Sequence, residues 1–98
     1  MLVLVFTYDA REPEEFEQIY GPEGEWARFF RRGVGFVGTE LLRDVEIDRR
    51  YVVIDRWDSV EAYGAFIAEH RAEYMRRVDD TAFYYDQELR LGTFENAW

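Results

Sequence analysis

The sequence contains no cysteine and no lysine, a single histidine, and two prolines among its 98 residues. Without cysteine the chain forms neither a disulfide nor a thiolate metal site, and one histidine leaves only carboxylates as further ligands. We therefore expect no metal site. No apolar run reaches the length of a membrane span, and the N-terminal LVLVF segment lacks the basic lead and cleavage site of a secretory signal. These absences favour a cytoplasmic protein.

Acidic residues outnumber basic ones, 21 against 12, which gives a formal net charge of -9. This charge repels phosphate backbones and anionic lipid surfaces, so we expect neither a nucleic-acid nor a membrane partner. The length and the 48% hydrophobic share indicate a single globular domain over residues 1–98. The aromatic share of 18% is high and must serve a core, an interface or a pocket.

The spacing of apolar residues predicts the order strand, helix, strand, strand, helix, strand. We expect strands over residues 2–8, 36–42, 51–57 and 82–91, and a first helical arm interrupted by a turn at residues 21–24. Ser59 is predicted to cap a second helix that runs to about Val78. This order is that of the ferredoxin-like split β-α-β fold (βαββαβ), an α+β fold whose antiparallel four-stranded sheet carries its helices on one face.

The stretch GVGFVG at residues 33–38 has the G-x-G-x-x-G spacing of a dinucleotide-binding turn, and Asp58 follows about twenty residues later. Such a turn needs a strand before the glycines and a helix after them, so that the helix N-terminus meets the pyrophosphate. Here a helix precedes and a strand follows. We therefore expect no nucleotide at this stretch and interpret Gly33 as the end of a helix.

The first and third predicted strands are apolar on both faces, with Val3 and Val5 on one face of the first, and Val52 and Ile54 on one face of the third. Two helices on one side of the sheet leave the second apolar face uncovered, which is unfavourable for a monomer. A second copy packed sheet against sheet would bury this face. The pattern therefore predicts a homodimer.

The single histidine falls within the second predicted helix. At about 100° per residue, Tyr63, Ile67, His70 and Tyr74 share one direction, so His70 is predicted to face the sheet. Two interpretations stay open. His70 is either a hydrogen-bonded core residue or a general base in a pocket, since imidazole titrates near neutral pH.

Trp57 ends the third predicted strand, where it either packs at the junction with the next helix or stacks on a flat substrate. By strand period Asp55 lies on the same face as Trp57, where it is either a weaker candidate base or a carboxylate that pairs with an arginine. The other residues that we expect to surround a bound aromatic ring are Tyr63, Phe66, Tyr74, Trp26 and Phe30.

Four parts of the chain together resemble the antibiotic biosynthesis monooxygenase (ABM) domain: Phe16, GVGFVGTELL, RYVVIDRW and DSVEAYGAF. The resemblance implies a dimeric α+β barrel with a pocket between sheet and helices in each subunit. Some family members oxidise aromatic polyketides with oxygen and without metal or flavin, and others degrade haem. Family oxygenases use a pocket asparagine, whereas the one asparagine here, Asn96, lies outside the matching segments.

The resemblance and the residues together suggest a cofactor-independent monooxygenase that acts on a small phenol- or anthrone-like substrate, with His70 removing a proton. The alternative is a non-catalytic dimeric domain that binds a small molecule or has a housekeeping role, with its aromatic residues committed to core and interface. A third option is a haem-degrading relative in which His70 is the axial ligand.

Overall fold

The computed structural model of the protein describes residues 1–97, which form one antiparallel sheet with helices on one face. The strand order is β2-β3-β1-β4, which confirms the predicted βαββαβ arrangement. The strands are β1 (Leu2–Ala10), β2 (Phe36–Arg43), β3 (Arg50–Trp57) and β4 (Tyr85–Glu95), and the helices are α1 (Pro13–Tyr20), α2 (Glu25–Phe30), α3 (Val60–Glu69) and α4 (Arg71–Thr81).

Side chains of the two central strands alternate strictly between the helix-covered face and the open face of the sheet. In the β1–β3 pair, Leu4 lies opposite Asp55 and Val5 lies opposite Ile54. Leu4 is buried under the helices, whereas Val5 and Ile54 are only partly buried on the open face. This alternation of side chains separates a buried interior layer under the helices from an apolar face of the sheet, which no element of residues 1–97 covers.

The interior layer divides into two aromatic clusters. In the first, Phe16 of α1 stacks on Tyr20 with ring centroids 4.4 Å apart and packs against β1 and β3. The second gathers Phe29 and Phe30 of α2 with residues of β1, β3 and α3. Phe6 and Trp26 are partly buried and contact both clusters. The space between the clusters is therefore the place where an interior cavity can form.

The second predicted helix is two helices. Ser59 caps the first as predicted, because its Oγ accepts the Ala62 N–H at 3.0 Å. The backbone of His70, with φ -112° and ψ 25°, then separates α3 from α4. Neither glycine nor proline marks this break, and the helical spacing of apolar residues continues across it. The sequence pattern therefore does not reveal it. Across this break, Tyr63, Ile67 and Tyr74 still pack against the second aromatic cluster, and His70 packs on Phe66 of that cluster.

The last strand begins and ends later than predicted. Residues 82–84 form a turn of 3₁₀ helix, and Tyr84 accepts the backbone N–H of Arg11 at 3.0 Å. Pairing with β1 then continues to Glu95, which lies opposite Leu2. The nine-residue β1 offers backbone partners along its whole length, so β4 extends through the polar and glycine-containing segment that its sequence pattern leaves unmarked.

The two glycines before β2 allow the chain to pass close to β3 and α3. A Cβ at Gly33 would lie 2.5 Å from Cδ1 of Phe66, and one at Gly35 would lie 2.8 Å from Cβ of Ala62. Gly35 also has a φ of 97°, a conformation that side chains disfavour. Helix α2 ends at Phe30, so Gly33 is needed for close approach rather than for ending the helix, which corrects our interpretation of this residue.

We expect Gly35→Ala to lower the free energy of unfolding by on the order of 1–2 kcal/mol, because an L residue is strained at this φ. The control is Gly64→Ala in α3, where a Cβ meets no atom within 4 Å and should stabilise the helix by about 0.5–1 kcal/mol. Urea unfolding of both variants measures the difference. Equal stability of Gly35→Ala and the wild type would contradict the need for glycine.

Candidate functional site

A cavity of about 280 Å³ lies between the sheet and the helices, where the two aromatic clusters meet. This volume is close to the lower end of the range of roughly 300–1,000 Å³ that is typical of ligand pockets. Its apolar walls include Phe6 and Val53 from the sheet, and Trp26, Phe30 and Tyr74 from the helices. The cavity therefore suits a small, flat, mainly apolar molecule.

The sheet contributes two carboxyl groups to this cavity, Glu88 and Asp55, and Asp55 is the buried one. It lies on the buried face of β3 and is only 9% exposed. Thr39 is its cross-strand partner in β2 and donates a hydrogen bond from Oγ1 to Oδ1 at 2.6 Å. Burial raises the pKa of Asp55 from 3.8 to about 6, and the Thr39 hydrogen bond offsets part of that rise. Near pH 6 this carboxyl can both accept and return a proton.

Tyrosine hydroxyls supply further polar atoms around the cavity. Tyr8 donates to Oε2 of Glu88 at 2.5 Å, and both residues line the cavity with Tyr20 and Tyr74. Burial is the main cause that raises the pKa of each of these three tyrosines above the usual value of 10. They are therefore neutral at physiological pH and act as hydrogen-bond donors to a negative charge.

Trp26 contributes a buried donor. Its indole ring lies at the cavity wall, 5.4 Å from the ring of Phe30 and 5.6 Å from that of Tyr74. Its Nε1 is buried and makes no hydrogen bond of normal length among residues 1–97, while the hydroxyl of Tyr20 lies close enough to interact with it weakly. An acceptor atom of a ligand would therefore compete with Tyr20 for this N–H.

His70 lies outside the residues that line the cavity. Its ring packs on Phe66 at a centroid distance of 4.5 Å and on Phe29 at 6.0 Å. Its Nε2 is 3.9 Å from a carboxylate oxygen of Glu69, and 21% of the side chain is exposed. Of the two interpretations that the sequence leaves open for His70, this packing against Phe66 and Phe29 favours a core residue over a residue of the cavity.

Trp57, Tyr63 and Phe66 also lie outside the cavity lining. Trp57 is fully buried, because the chain crosses its ring at Gly33, and it packs 5.3 Å from Phe66 and 5.6 Å from Tyr63. These three side chains form the adjacent core instead of a wall for a ligand. The predicted site residues that the cavity brings together are Asp55, Trp26, Phe30 and Tyr74.

Several cavity residues were not among our sequence candidates. The position of Thr39 at the cavity can be predicted once the β2–β3 register is known, because Thr39 is then the cross-strand partner of Asp55. Tyr8 could have been predicted from the alternation of side chains along β1, because it lies on the same buried face as Leu4. Glu88 and Arg90 lie on β4, whose bulged pairing with β1 has no signal in the sequence.

No group of three or more His, Cys, Asp or Glu side chains within residues 1–97 is arranged to hold a metal ion. In the same part of the chain, no helix is long and apolar enough to cross a membrane.

The raised pKa of Asp55 predicts a loss of stability as the pH rises. The folded state binds this proton more tightly than the unfolded chain, so the stabilisation is complete below about pH 4 and is lost between about pH 4 and pH 6. A shift from 3.8 to about 6 corresponds to about 3 kcal/mol. Urea unfolding from pH 4.5 to 7 measures the decline.

The control for this prediction is Asp55→Asn, which cannot ionise and should remove the decline. Glu17 and Glu73 have lowered pKa values because arginines donate hydrogen bonds to them, so their contribution has the opposite sign and is lost only at lower pH. A decline of the same size in Asp55→Asn would show that another group causes it.

Comparison with known proteins identifies the family. The family model for antibiotic biosynthesis monooxygenases matches residues 1–77. No curated protein matches the sequence significantly. Among solved structures, SnoaB, a cofactor-independent oxygenase from Streptomyces nogalater, is similar with a TM-score of 0.79 and 24% identity, covering 99% of this chain and 93% of SnoaB.

A second similar structure is MhuD, a haem degrader from Mycobacterium tuberculosis. It has a TM-score of 0.67 and 24% identity, with 100% of this chain and 97% of MhuD covered. At this identity both neighbours show the fold. The family model covers most of the chain, and the protein therefore belongs to the antibiotic biosynthesis monooxygenase family.

Proposed function

We propose that this protein is a cofactor-independent monooxygenase that oxidises a small phenol- or anthrone-like aromatic in the cavity between sheet and helices. The observation that carries the proposal is Asp55, a buried carboxyl with a pKa raised to about 6 beside an aromatic-lined cavity. Family membership and the similarity to SnoaB, itself a cofactor-independent oxygenase, support the same reaction class.

In the proposed reaction, the Asp55 carboxylate removes a proton from the CH₂ group of an anthrone. The resulting carbanion, conjugated with the ring carbonyl, gives one electron to O₂, and recombination of the two radicals forms a C–O bond. The second proton leaves the same carbon as the O–O bond breaks, which gives a carbonyl and water. The substrate supplies all four electrons, so the reaction needs no external reductant.

The surroundings of Asp55 suit this role. A general base works best when its pKa is near the working pH, and a pKa of about 6 leaves Asp55 mostly ionised at pH 7. The neutral hydroxyl of Tyr74 and the buried Nε1–H of Trp26 are donors for the anionic intermediate. The aromatic part of the cavity wall lowers the local dielectric constant, which strengthens these interactions.

We assign the base to Asp55 rather than to His70, because His70 packs against Phe66 behind the cavity. The same placement removes the support for the haem-degrading option, in which this histidine would be the axial ligand. Binding without turnover is the outcome that would favour the non-catalytic alternative.

We expect Asp55→Asn to slow oxygen uptake with anthrone by about a hundred- to ten-thousandfold, the usual cost of losing a general base. The rate of the wild type should rise with pH through an apparent pKa near 6. Thr39→Val removes a hydrogen bond that lowers the pKa of Asp55, so its profile should shift to higher pH. Oxygen consumption and the absorbance of the quinone product measure both effects.

The matched control is His70→Gln, which should leave the rate and its pH profile unchanged. Loss of activity in His70→Gln with activity retained in Asp55→Asn would return the role of base to the histidine. If thermal shift shows that naphthol, a planar phenol, binds, but neither anthrone nor naphthol consumes oxygen with the wild type, the protein is a binding domain and the proposal fails.

We further propose that the protein is a homodimer joined through the open face of the sheet. That face carries the partly buried residues Val3, Val5, Val52 and Ile54, and its neighbours Leu89 and Phe94 are 53% and 52% exposed. Contiguous apolar surface of this kind marks an interface in a protein that stays in solution. The dimeric α+β barrel implied by the family resemblance supports the same assembly.

Sedimentation equilibrium at micromolar concentration should therefore give twice the chain mass of 11.8 kDa. Val5→Asp, in the middle of the open face, should dissociate the dimer, because the carboxylate would lose its hydration in an apolar interface. The control is Val45→Asp, the same change at a side chain that is 96% exposed in a loop. A monomeric wild type, or a dimer unaffected by Val5→Asp, would contradict this interface.

A further inference from the structure

A bulge in β4 brings an arginine to the helix-covered side of the sheet. The pairing with β1 shifts from Val5 opposite Gly92 to Phe6 opposite Arg90, so Leu91 is the extra residue. An unbroken ladder would place Leu91 opposite Phe6, on the face that lines the cavity. The bulge instead leaves Leu91 beside the open face and places Arg90, whose side chain is exposed, among the residues that line the cavity.

Arg90 has no ion-pair partner among residues 1–97, in contrast to Arg11, Arg56 and Arg77, which each pair with a carboxylate. Its guanidinium lies 5.8 Å above the ring of Phe6 and donates to the hydroxyl of Thr93. The nearby Glu88 of the same strand accepts a hydrogen bond from the hydroxyl of Tyr8 rather than from Arg90. A guanidinium has five N–H donors, and most of those of Arg90 remain free for a ligand.

The sheet also fixes the distance between Arg90 and Asp55. The two residues lie on β4 and β3, which flank β1, and their partners on β1 are Phe6 and Leu4. Two strand spacings and one step of two residues separate their Cα atoms by roughly 12 Å. The guanidinium reaches Thr93, which lies two strands away from Asp55 in the same cross-strand row, so the cation and the carboxyl lie on opposite sides of β1.

We infer that Arg90 makes the cavity selective for aromatic substrates that carry a carboxylate at the end opposite the reacting group. The carboxylate would accept two parallel N–H donors of the guanidinium, while the hydroxyl or CH₂ group at the other end meets Asp55. This inference rests on the proposed function only in taking the cavity as the substrate site. A planar two-ring or three-ring acid has the length to reach both groups.

The negative charge of the rest of the chain means that an anionic ligand needs a local cation such as Arg90 in order to bind tightly. A net charge of -9 repels an anionic ligand, and Asp55 and Glu88 are carboxyls in the same cavity. Without a local cation an aromatic acid would bind more weakly than the matching neutral phenol. Preference for the acid is therefore a direct measure of what Arg90 contributes.

The test compares two ligands that differ only in the carboxylate, 2-naphthol and 6-hydroxy-2-naphthoic acid, by isothermal titration calorimetry at pH 7. The wild type should bind the acid about ten- to hundredfold more tightly, the range expected for a hydrogen bond to a charged group. Arg90→Gln should lose this preference and keep its affinity for 2-naphthol. The matched control is Arg76→Gln, which removes the same charge from the exposed side of α4 and should keep the preference.

Equal or weaker binding of the acid by the wild type would overturn the role of Arg90, as would a preference that survives in Arg90→Gln. If the preference depends on Arg90 but anthrone consumes no oxygen, the selective site stands and the proposed oxygenase function fails. If 2-naphthol binds and the acid does not, the cavity stands and this inference fails. Binding of neither ligand at millimolar concentration would overturn both.

Discussion

Side chains along β3 alternate between two environments, and the position of the functional groups depends on this alternation. Asp55 shares its parity with Trp57, so the strand that buries the indole in the core must also bury the carboxyl. The carboxyl has no arginine partner among residues 1–97, and only Thr39 hydrogen-bonds it. Its pKa rises because the protein does not compensate its burial with charge.

Two carboxylates near the surface are, in contrast, paired with arginines. Glu73 receives hydrogen bonds from Arg32 and Arg77, which lower its pKa to about 2, and Glu17 receives them from Arg43 and Tyr51. These groups lie at the surface and hold helices to their neighbours. The contrast with Asp55 is typical of functional sites, where an unfavourable environment for one group is retained because its chemistry is needed.

The sequence predicts the βαββαβ order and the shared face of Asp55 and Trp57, because both depend on periods that are local in the chain. It does not decide between the core and the pocket interpretation of His70, because the helical period continues through a break that no glycine or proline marks. It also cannot place Arg90, whose position depends on a bulge in a pairing between strands more than eighty residues apart. Local periodicity therefore reaches Asp55 on β3 and aromatic residues of the helix walls, whereas the contribution of β4 depends on tertiary pairing.

The raised pKa of Asp55 links stability to binding. A phenol that donates a hydrogen bond to the Asp55 carboxylate stabilises the ionised form and so lowers the pKa of this group in the complex. By linkage, ionisation of Asp55 must strengthen binding of the phenol by the same factor. The free energy of folding that the empty protein has lost once Asp55 is ionised would thus be partly recovered when such a ligand enters. In the proposed function, the group that weakens the fold at neutral pH is the one that receives the hydrogen bond of the substrate.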